Sequence, residues 1–553
     1  MRFDFHRAML LDPDTHPLRY LPGAAIVLSL MYLASRGLRG DRQWRCVFWV
    51  SGIIGAASSM VMVAAGIPQA TKHDWSAARL APAAAWIRGY ELYYPHNQGP
   101  MLVQMYGPVS AMLYVPAALA SRPTPAILIG VFTGLASYAL PAAWFLLWSR
   151  RDRGLSIVVI SIVAFVLISS SQFVLSEAVT RVTIDAPAVG FSLCAFAMLA
   201  GAGQSLHVRA FLRLGLWCGV FAAMSIWTKL TLGPVVVAMA LYVWMLVGRH
   251  RAAMFVLGMA ISGAAVSAIL LLWFGPAMLF QMLVVPLNQP WQVPELPAPL
   301  ALWHAVQWLW YWSNPVGWIL LAGLVIAIGV SRPDPARWRE WLDGNPWILP
   351  MLGAVCVLPT SAIASAKWGG AWNNAVPGAS MALLAAVGAL GNAASRGHWD
   401  APNRPGLPPL GRLARVALLG LVLAACWIPV SGFSQLVDGL RTWKRLSDND
   451  HEAAFRYARE HPGEIYFPCH PLSPLLAEGK AYHFQAGLDD LRVAGLAMSE
   501  ANFRAWLPPR MRAVAFRPRQ AQWVRDVLAR LPEFRRMVRI PELHEWILLT
   551  RDE

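Results

Sequence analysis

Apolar residues gather in thirteen runs separated by short polar connectors, near 21–36, 46–67, 103–120, 125–148, 155–175, 186–203, 212–231, 233–248, 252–274, 315–331, 346–363, 378–395 and 414–433. Several approach the roughly 20 residues that carry a helix across a bilayer. The strict in–out alternation of a membrane β-barrel is absent. The pattern predicts a polytopic α-helical membrane protein of about 11–13 membrane helices. No repeat of solenoid length is evident. From 434 onward no run is long enough to span. Short apolar stretches at Ile465–Pro468, Ala513–Phe516 and Trp546–Leu549 alternate there with helical patterns at Asp448–His461 and Arg517–Leu531. This predicts a small α/β domain at 434–553 behind a membrane domain at 1–433.

Composition agrees: the chain is 57% hydrophobic and 14% charged, too little charge for a soluble protein of this size. A net charge of +16 would point to nucleic acid in a soluble chain. Here the surplus sits in connectors at Arg36–Arg45, Arg150–Arg153, His207–Arg213, Arg249–Arg251, Arg332–Arg339 and Arg396–Arg415. Arginine-rich connectors mark the cytoplasmic side, and they also attract anionic headgroups. No nucleic-acid partner is expected. The other loops, 68–102, 176–185, 275–314, 361–377 and the tail after 433, then face outward, to the periplasm if the membrane is a bacterial inner membrane. One count fails to close. Two apolar runs lie between the outward loop ending near Tyr106 and the inward arginines at 150. Either 103–120 or 125–148 is partial, re-entrant or interfacial, or the orientation is locally reversed. Met1–Tyr20 carries both signs of charge and precedes no small-residue cleavage site, so no removable signal peptide is expected. The six cysteines (46, 194, 218, 356, 426 and 469) lack metal-ligand spacing, so neither a disulfide framework nor a zinc site is expected.

The polar residues that carry chemistry collect in the outward loops. Asp74 directly follows a spanning run, beside His73, with Arg79 and Arg88 downstream. A carboxylate there can take a proton from an attacking hydroxyl or hold a divalent cation. It can equally cap an interfacial helix over Trp75–Gly89. Glu177, Arg181 and Asp185 recur every four residues, which aligns them on one helical face. Ionisable groups at such depth are costly and usually functional, although a structural ion pair of Arg181 with either acid also fits. Lys229 can meet a lipid phosphate or snorkel to the interface. In SAKWGGAWNNAVP, Lys367 offers a second cation, Trp368 and Trp372 offer faces for a sugar, and Asn373 and Asn374 offer amides. Most of the 27 tryptophans are expected in interfacial belts, with Trp291 a further stacking candidate. His470 and His483 in the tail are expected to be packed or exposed rather than catalytic.

An acid just after an early spanning helix, the segment LYYP…GP…YGPV, and a second acid in TIDAPAVG together resemble the GT-C membrane glycosyltransferases. That superfamily includes the protein O-mannosyltransferases and the lipid A aminoarabinose transferase. AKWGGAWNNAVP and YAREHPGEIYFPCHP are similar to its less studied bacterial branch. The resemblance implies a polyprenyl-phosphate sugar donor used on the outer face, with a lipid, glycan or protein as acceptor. It makes Asp74 the first-loop acid, a general base or metal-associated carboxylate, and Asp185 the second-loop acid, with Glu177 as rival. It allows a divalent cation, Mg or Mn, on Asp74 and Asp185. The chain departs from the family in having two apolar runs before the first acidic loop and no adjacent acidic pair in it. An acceptor proton passing to Asp74 predicts inversion at the anomeric carbon. A lipid-linked glycan ligase shares nearly all these features. A transporter or flippase also keeps charges in membrane segments, but no matched broken halves are seen; a non-catalytic scaffold would not need Asp74.

Overall fold

The computed structural model describes residues 41–102, 105–149, 154–202, 207–293, 295–330, 334–396, 410–431, 433–538 and 546–551, with isolated positions at 31, 35 and 38. Among them, eight helices are long and apolar enough to cross a membrane: Arg42–Ala70, Pro123–Trp148, Asp185–Ala202, Val208–Ile226, Leu230–Val247, Arg249–Phe274, Ile348–Ala366 and Trp372–Ser395. Two further pairs, Leu155–Ser171 with Val174–Thr180 and Ala298–Tyr311 with Val316–Val330, pass the same test as spans bent by 102° and 74°. A 22-residue helix, Leu410–Ser431, packs on the first helix and on Leu155–Ser171. The chain is a multi-pass α-helical membrane protein with a small sheet near its C-terminus. Apart from Met31 and Ser35, the expected run at 21–36 lies outside the described residues, as do the arginines at 150–153 and most of 396–415.

The structure resolves the crossing count. Residues 105–120 form no span: a loop leads into two short helices, Pro108–Leu113 and Val115–Ala118. Proline opens each, because its missing N–H costs nothing in the first helical turn. With that crossing removed, the expected outward loops meet at one end of the bundle. Arg79 Nη1 donates to the Val182 carbonyl at 2.8 Å, Asn373 reaches Asp185, and Trp291 bridges Lys367. Described parts of the arginine-rich connectors meet at the other end, where Arg415 donates to the Ala394 carbonyl and lies over Trp44.

Without a hydrophobic drive between helices in lipid, close backbone approach does the packing. Gly215 and Gly219 of one helix face Gly258 and Ser262 of Arg249–Phe274. A Cβ on Gly215 would stand 2.1 Å from the Phe255 carbonyl, and one on Gly258 would stand 2.4 Å from that of Leu212. Any side chain there would force the two helices apart.

The tail forms a four-stranded sheet of β1 (Ile465–Tyr466), β2 (Ala513–Phe516), β3 (Phe534–Val538) and β4 (Ile547–Arg551), in the order β1-β2-β4-β3. β1 and β2 run parallel; β4 is antiparallel to both its neighbours. Helices Asp450–Glu460 and Ala521–Ala529 match the expected ones. β3 escaped the sequence reading because its FRRMV pattern buries only the first residue fully. The tail is tied down at Glu452, wholly buried, whose carboxylate takes Arg122 at 2.8 Å and the Thr124 N–H at 2.9 Å.

Candidate functional site

Two helices begin on the two acids singled out by sequence. Asp74–Trp86 is the interfacial helix, shorter than expected, with His73 rather than Asp74 in the capping position. Asp185–Ala202 opens on the second acid. A carboxylate in a first helical turn is favoured by the helix dipole. From there the two acids diverge.

Asp185 is buried, and its Oδ1 takes the Lys229 ammonium at 2.5 Å, also buried. Its Oδ2 accepts from Asn373 at 3.4 Å. Lys229 does not snorkel. It caps the turn Leu230–Leu232, where one spanning helix gives way to the next. The turn at Tyr106–Pro108 docks on the same break: Gly107 N–H donates to the Thr228 carbonyl at 3.3 Å, and a Cβ on Gly107 would collide with the Trp227 carbonyl at 1.6 Å. This is why the YGP sequence needs its glycine. The four-residue spacing of Glu177, Arg181 and Asp185 does not make a continuous face, because the helix stops at Thr180 and restarts at Asp185. Glu177 pairs with Arg181, as the ion-pair reading required, and Asp185 pairs elsewhere.

Arg79 joins these groups. It lies against the Tyr106 hydroxyl and carries a field felt at Tyr106, Tyr114 and His73. Tyr106 also feels Asp185 and Asp490. Tyr106 and Asp490 are half-buried neighbours. Burial, with Asp489 next to it, pushes the Asp490 carboxyl up to about 8. Its Oδ1 lies 3.4 Å from the Gln289 amide. Asp490 escaped the sequence reading. It lies in a soluble-looking helix, Gln485–Val493, and only the tertiary fold turns it inward.

Asp74 lies where the tail meets the interfacial helix. Gln520 donates to its Oδ2 at 3.0 Å and Arg519 to its Oδ1 at 3.3 Å. Arg519 also reaches Asp450 at 3.0 Å, and Arg517 reaches Asp450 at 2.8 Å. Burial works against the Asp74 charge, but His470, the Gln520 amide, His451 and Arg519 together hold its pKa below the usual carboxylate value. His470 and His451 are wholly buried with their Nδ1 atoms 2.9 Å apart. Burial drives the His470 pKa down to about 3, with help from His451, and lowers that of His451 too. His73 is likewise lowered to about 3, by burial first and then by Arg181 and Arg79. It feels both the Asp74 group and the arginines Arg181 and Arg79. His483 is packed, accepting the Met101 N–H at 2.9 Å.

The remaining expected residues have partners within the protein. Lys367 Nζ donates to the Gln289 carbonyl at 2.7 Å and the Leu287 carbonyl at 3.2 Å, and lies 4.8 Å above the Trp291 ring. With the Trp368 N–H on the Pro290 carbonyl, it staples two loops at this end of the bundle together. Asn374 is buried in the turn Trp372–Ala375, whereas Asn373 faces Asp185. Arg88 donates to the Ala84 carbonyl of its own helix at 2.9 Å.

A bundle of membrane-length helices with two acids at one end and a small sheet in the tail makes an ArnT-like membrane fold. In particular, the chain is similar to ArnT from Cupriavidus metallidurans in its crystal structure bound to undecaprenyl phosphate. The TM-score is 0.53 at 14% identity, over 91% of this chain and 98% of that one. The apo ArnT structure gives 0.52 at 14% identity, over 91% and 97%. No family model matches the sequence, and no curated protein matches it.

Proposed function

We propose that the protein is a membrane glycosyltransferase. It would move a sugar from a polyprenyl-phosphate donor to a lipid, glycan or protein acceptor on the outer face of a bacterial inner membrane. The observation that carries this reading is the charged group beside the break at Thr180–Asp185, where Arg79 lies against Tyr106, Arg181 pairs with Glu177 and Asp185 pairs with Lys229. It lies in a fold shared with a protein crystallised on undecaprenyl phosphate. Polyprenyl phosphate leaves readily, so the main tasks are alignment and stabilisation of charge on the departing phosphate. Arg79 and Arg181 suit the second task. Lys229, already neutralised by Asp185, holds the wall in place.

In the reaction, the acceptor oxygen bonds to the anomeric carbon as the bond from that carbon to the phosphate oxygen breaks. The acceptor proton passes to a carboxylate. Asp74 has both oxygens engaged by Gln520 and Arg519 and accepts it only if those groups let go. Asp490 keeps accessible surface near Tyr106, and its pKa of about 8 lies near the operating range of a general base. We assign the proton to Asp490. Asp74 and Asp185 take separate cationic partners, so a magnesium or manganese ion shared between them forms no part of the reading.

The test is transfer from a panel of polyprenyl-phosphate sugars by purified protein. Wild type should form product with a rate rising with pH to about 8. Asp490→Asn should lose the pH limb and roughly 100-fold or more in rate. Movement of labelled lipid across sealed vesicles without a new glycosidic bond would overturn the reading.

A further inference from the structure

We propose that Gln289 is the positioning residue of Asp490: its amide holds that carboxyl beside Tyr106 and serves it both with and without its proton. The proposal rests on the transferase reading, through the assignment of the acceptor proton to Asp490. Gln289 closes the short helix Val285–Asn288 from the C-cap position, with its N–H on the Pro286 carbonyl at 3.3 Å. The residue is buried. Its Nε2 lies 3.4 Å from Asp490 Oδ1 and 3.4 Å from Met105 Sδ. A thioether accepts only weakly, so the carboxylate is the strong partner. The backbone that follows is fixed by the segment 366–368. The Trp368 N–H donates to the Pro290 carbonyl at 2.8 Å, and the Gln292 N–H donates to the Ala366 carbonyl at 2.8 Å. Both are main-chain bonds and hold without the Lys367 side chain. A buried side chain on a fixed backbone has little freedom, so the amide meets the tail at a set place.

The choice of an amide points to proton handling. Asp185 meets a lysine and Asp74 meets an arginine, and either cation favours the charged carboxylate. Asp490 is treated differently. Among the described residues no lysine, arginine or histidine pairs with it, and Gln289 is the one side chain hydrogen-bonded to it. The ionisable groups that face it are Asp489 on its own helix and Tyr106 from the first loop. Arg492 of the same helix and Asp526 of the packed helix Ala521–Ala529 engage Asp489 and each other instead. An amide carries both a donor and an acceptor. As placed, Nε2 donates to the ionised carboxylate. Turned over about its last bond, the amide brings Oε1 to the same place, where it accepts the O–H of the protonated acid. A carboxyl that takes a proton in each turnover and then gives it up is served by such a partner, whereas a fixed cation would hold it charged. Burial and Asp489 push the Asp490 pKa up to about 8, and the Gln289 donor opposes that rise.

The experiment takes the full-length protein in detergent through a pH series with two readings. Infrared difference titration follows the C=O band of protonated carboxyls, and the band that Asp490→Asn removes belongs to Asp490. The same preparations are assayed for transfer from the polyprenyl-phosphate panel. Gln289→Leu removes the donor at similar volume, and should move both the band midpoint and the rising limb of the rate upward by about one pH unit. Gln289→Lys supplies a cation and should move both downward by at least as much. Gln289→Met, with an unbranched side chain, replaces Gln289→Leu if that variant fails to fold. A side chain that only packs would lower the rate at every pH and leave the midpoint where it was. An Asp490 midpoint unchanged in all the Gln289 variants would overturn the proposal. Midpoints that move as expected, in protein that forms no product from any donor, would overturn the transferase reading and leave the Gln289–Asp490 coupling standing.

Discussion

The two acids that open helices have the same local sequence logic and opposite surroundings. Asp185 faces one buried lysine inside the bundle, and its charge is fixed by a partner that is itself dry. Asp74 is shared among an amide, a half-exposed arginine and neutral imidazoles from the tail. The first arrangement locks two spanning segments together through a fixed pair of charges. The second can be opened by anything that protonates or displaces its neighbours. A single chain thus carries a permanent ion pair and a titratable joint at the same end of the bundle.

The largest expected effect comes from breaking the fixed pair. Lys229→Met leaves Asp185 charged without its lysine in a dry site, and should cost about 3–5 kcal/mol of stability, because an orphaned buried charge is far worse than none. Adding Asp185→Asn should restore most of the loss, as read by thermal unfolding in detergent. A single variant as stable as wild type would show that the pair does not hold the spans.

Acid should attack the other joint. The folded pKa values of His470 and His73 are lowered to about 3, below the unfolded value of roughly 6.5. The unfolded chain therefore binds more protons between those limits, and stability should fall as pH drops from about 6.5 toward 3. The Asp185→Asn, Lys229→Met double variant should keep this slope, and replacing both His451 and His470 should reduce it to the share carried by His73. The smallest effect is expected at Lys367→Met, which removes two bonds to carbonyls from a partly exposed ammonium, about 1–2 kcal/mol. It should move the staple between loops and leave transfer largely intact.

The membrane class, the convergence of loops at one end of the bundle and the two helix-opening acids were legible in the sequence, because apolar length and arginine placement are local signals. The status of 103–120 was not. It is apolar enough to insert, yet Gly107 and Pro108 turn it onto the Trp227 carbonyl instead. The partners of Asp74 were not legible either. Gln520 and Arg519 lie more than 440 residues downstream, and nothing in their local pattern marks them. Lys367 reads as a phosphate ligand by composition, but the carbonyls of 287 and 289 already hold its ammonium. Asp490 shows the same limit from the other side, since its chemistry comes from enclosure rather than from its neighbours in sequence.

On the proposed function, a lipid phosphate is received by Arg79 and Arg181 and not by the joint at Asp74. Saturable binding of undecaprenyl phosphate, followed by native mass spectrometry, tests it most directly. Arg79→Gln should weaken binding about tenfold or more, in line with the loss of a charge-assisted contact, while His470→Gln should leave it within about twofold. Binding that survives Arg79→Gln and disappears in His470→Gln would contradict the account.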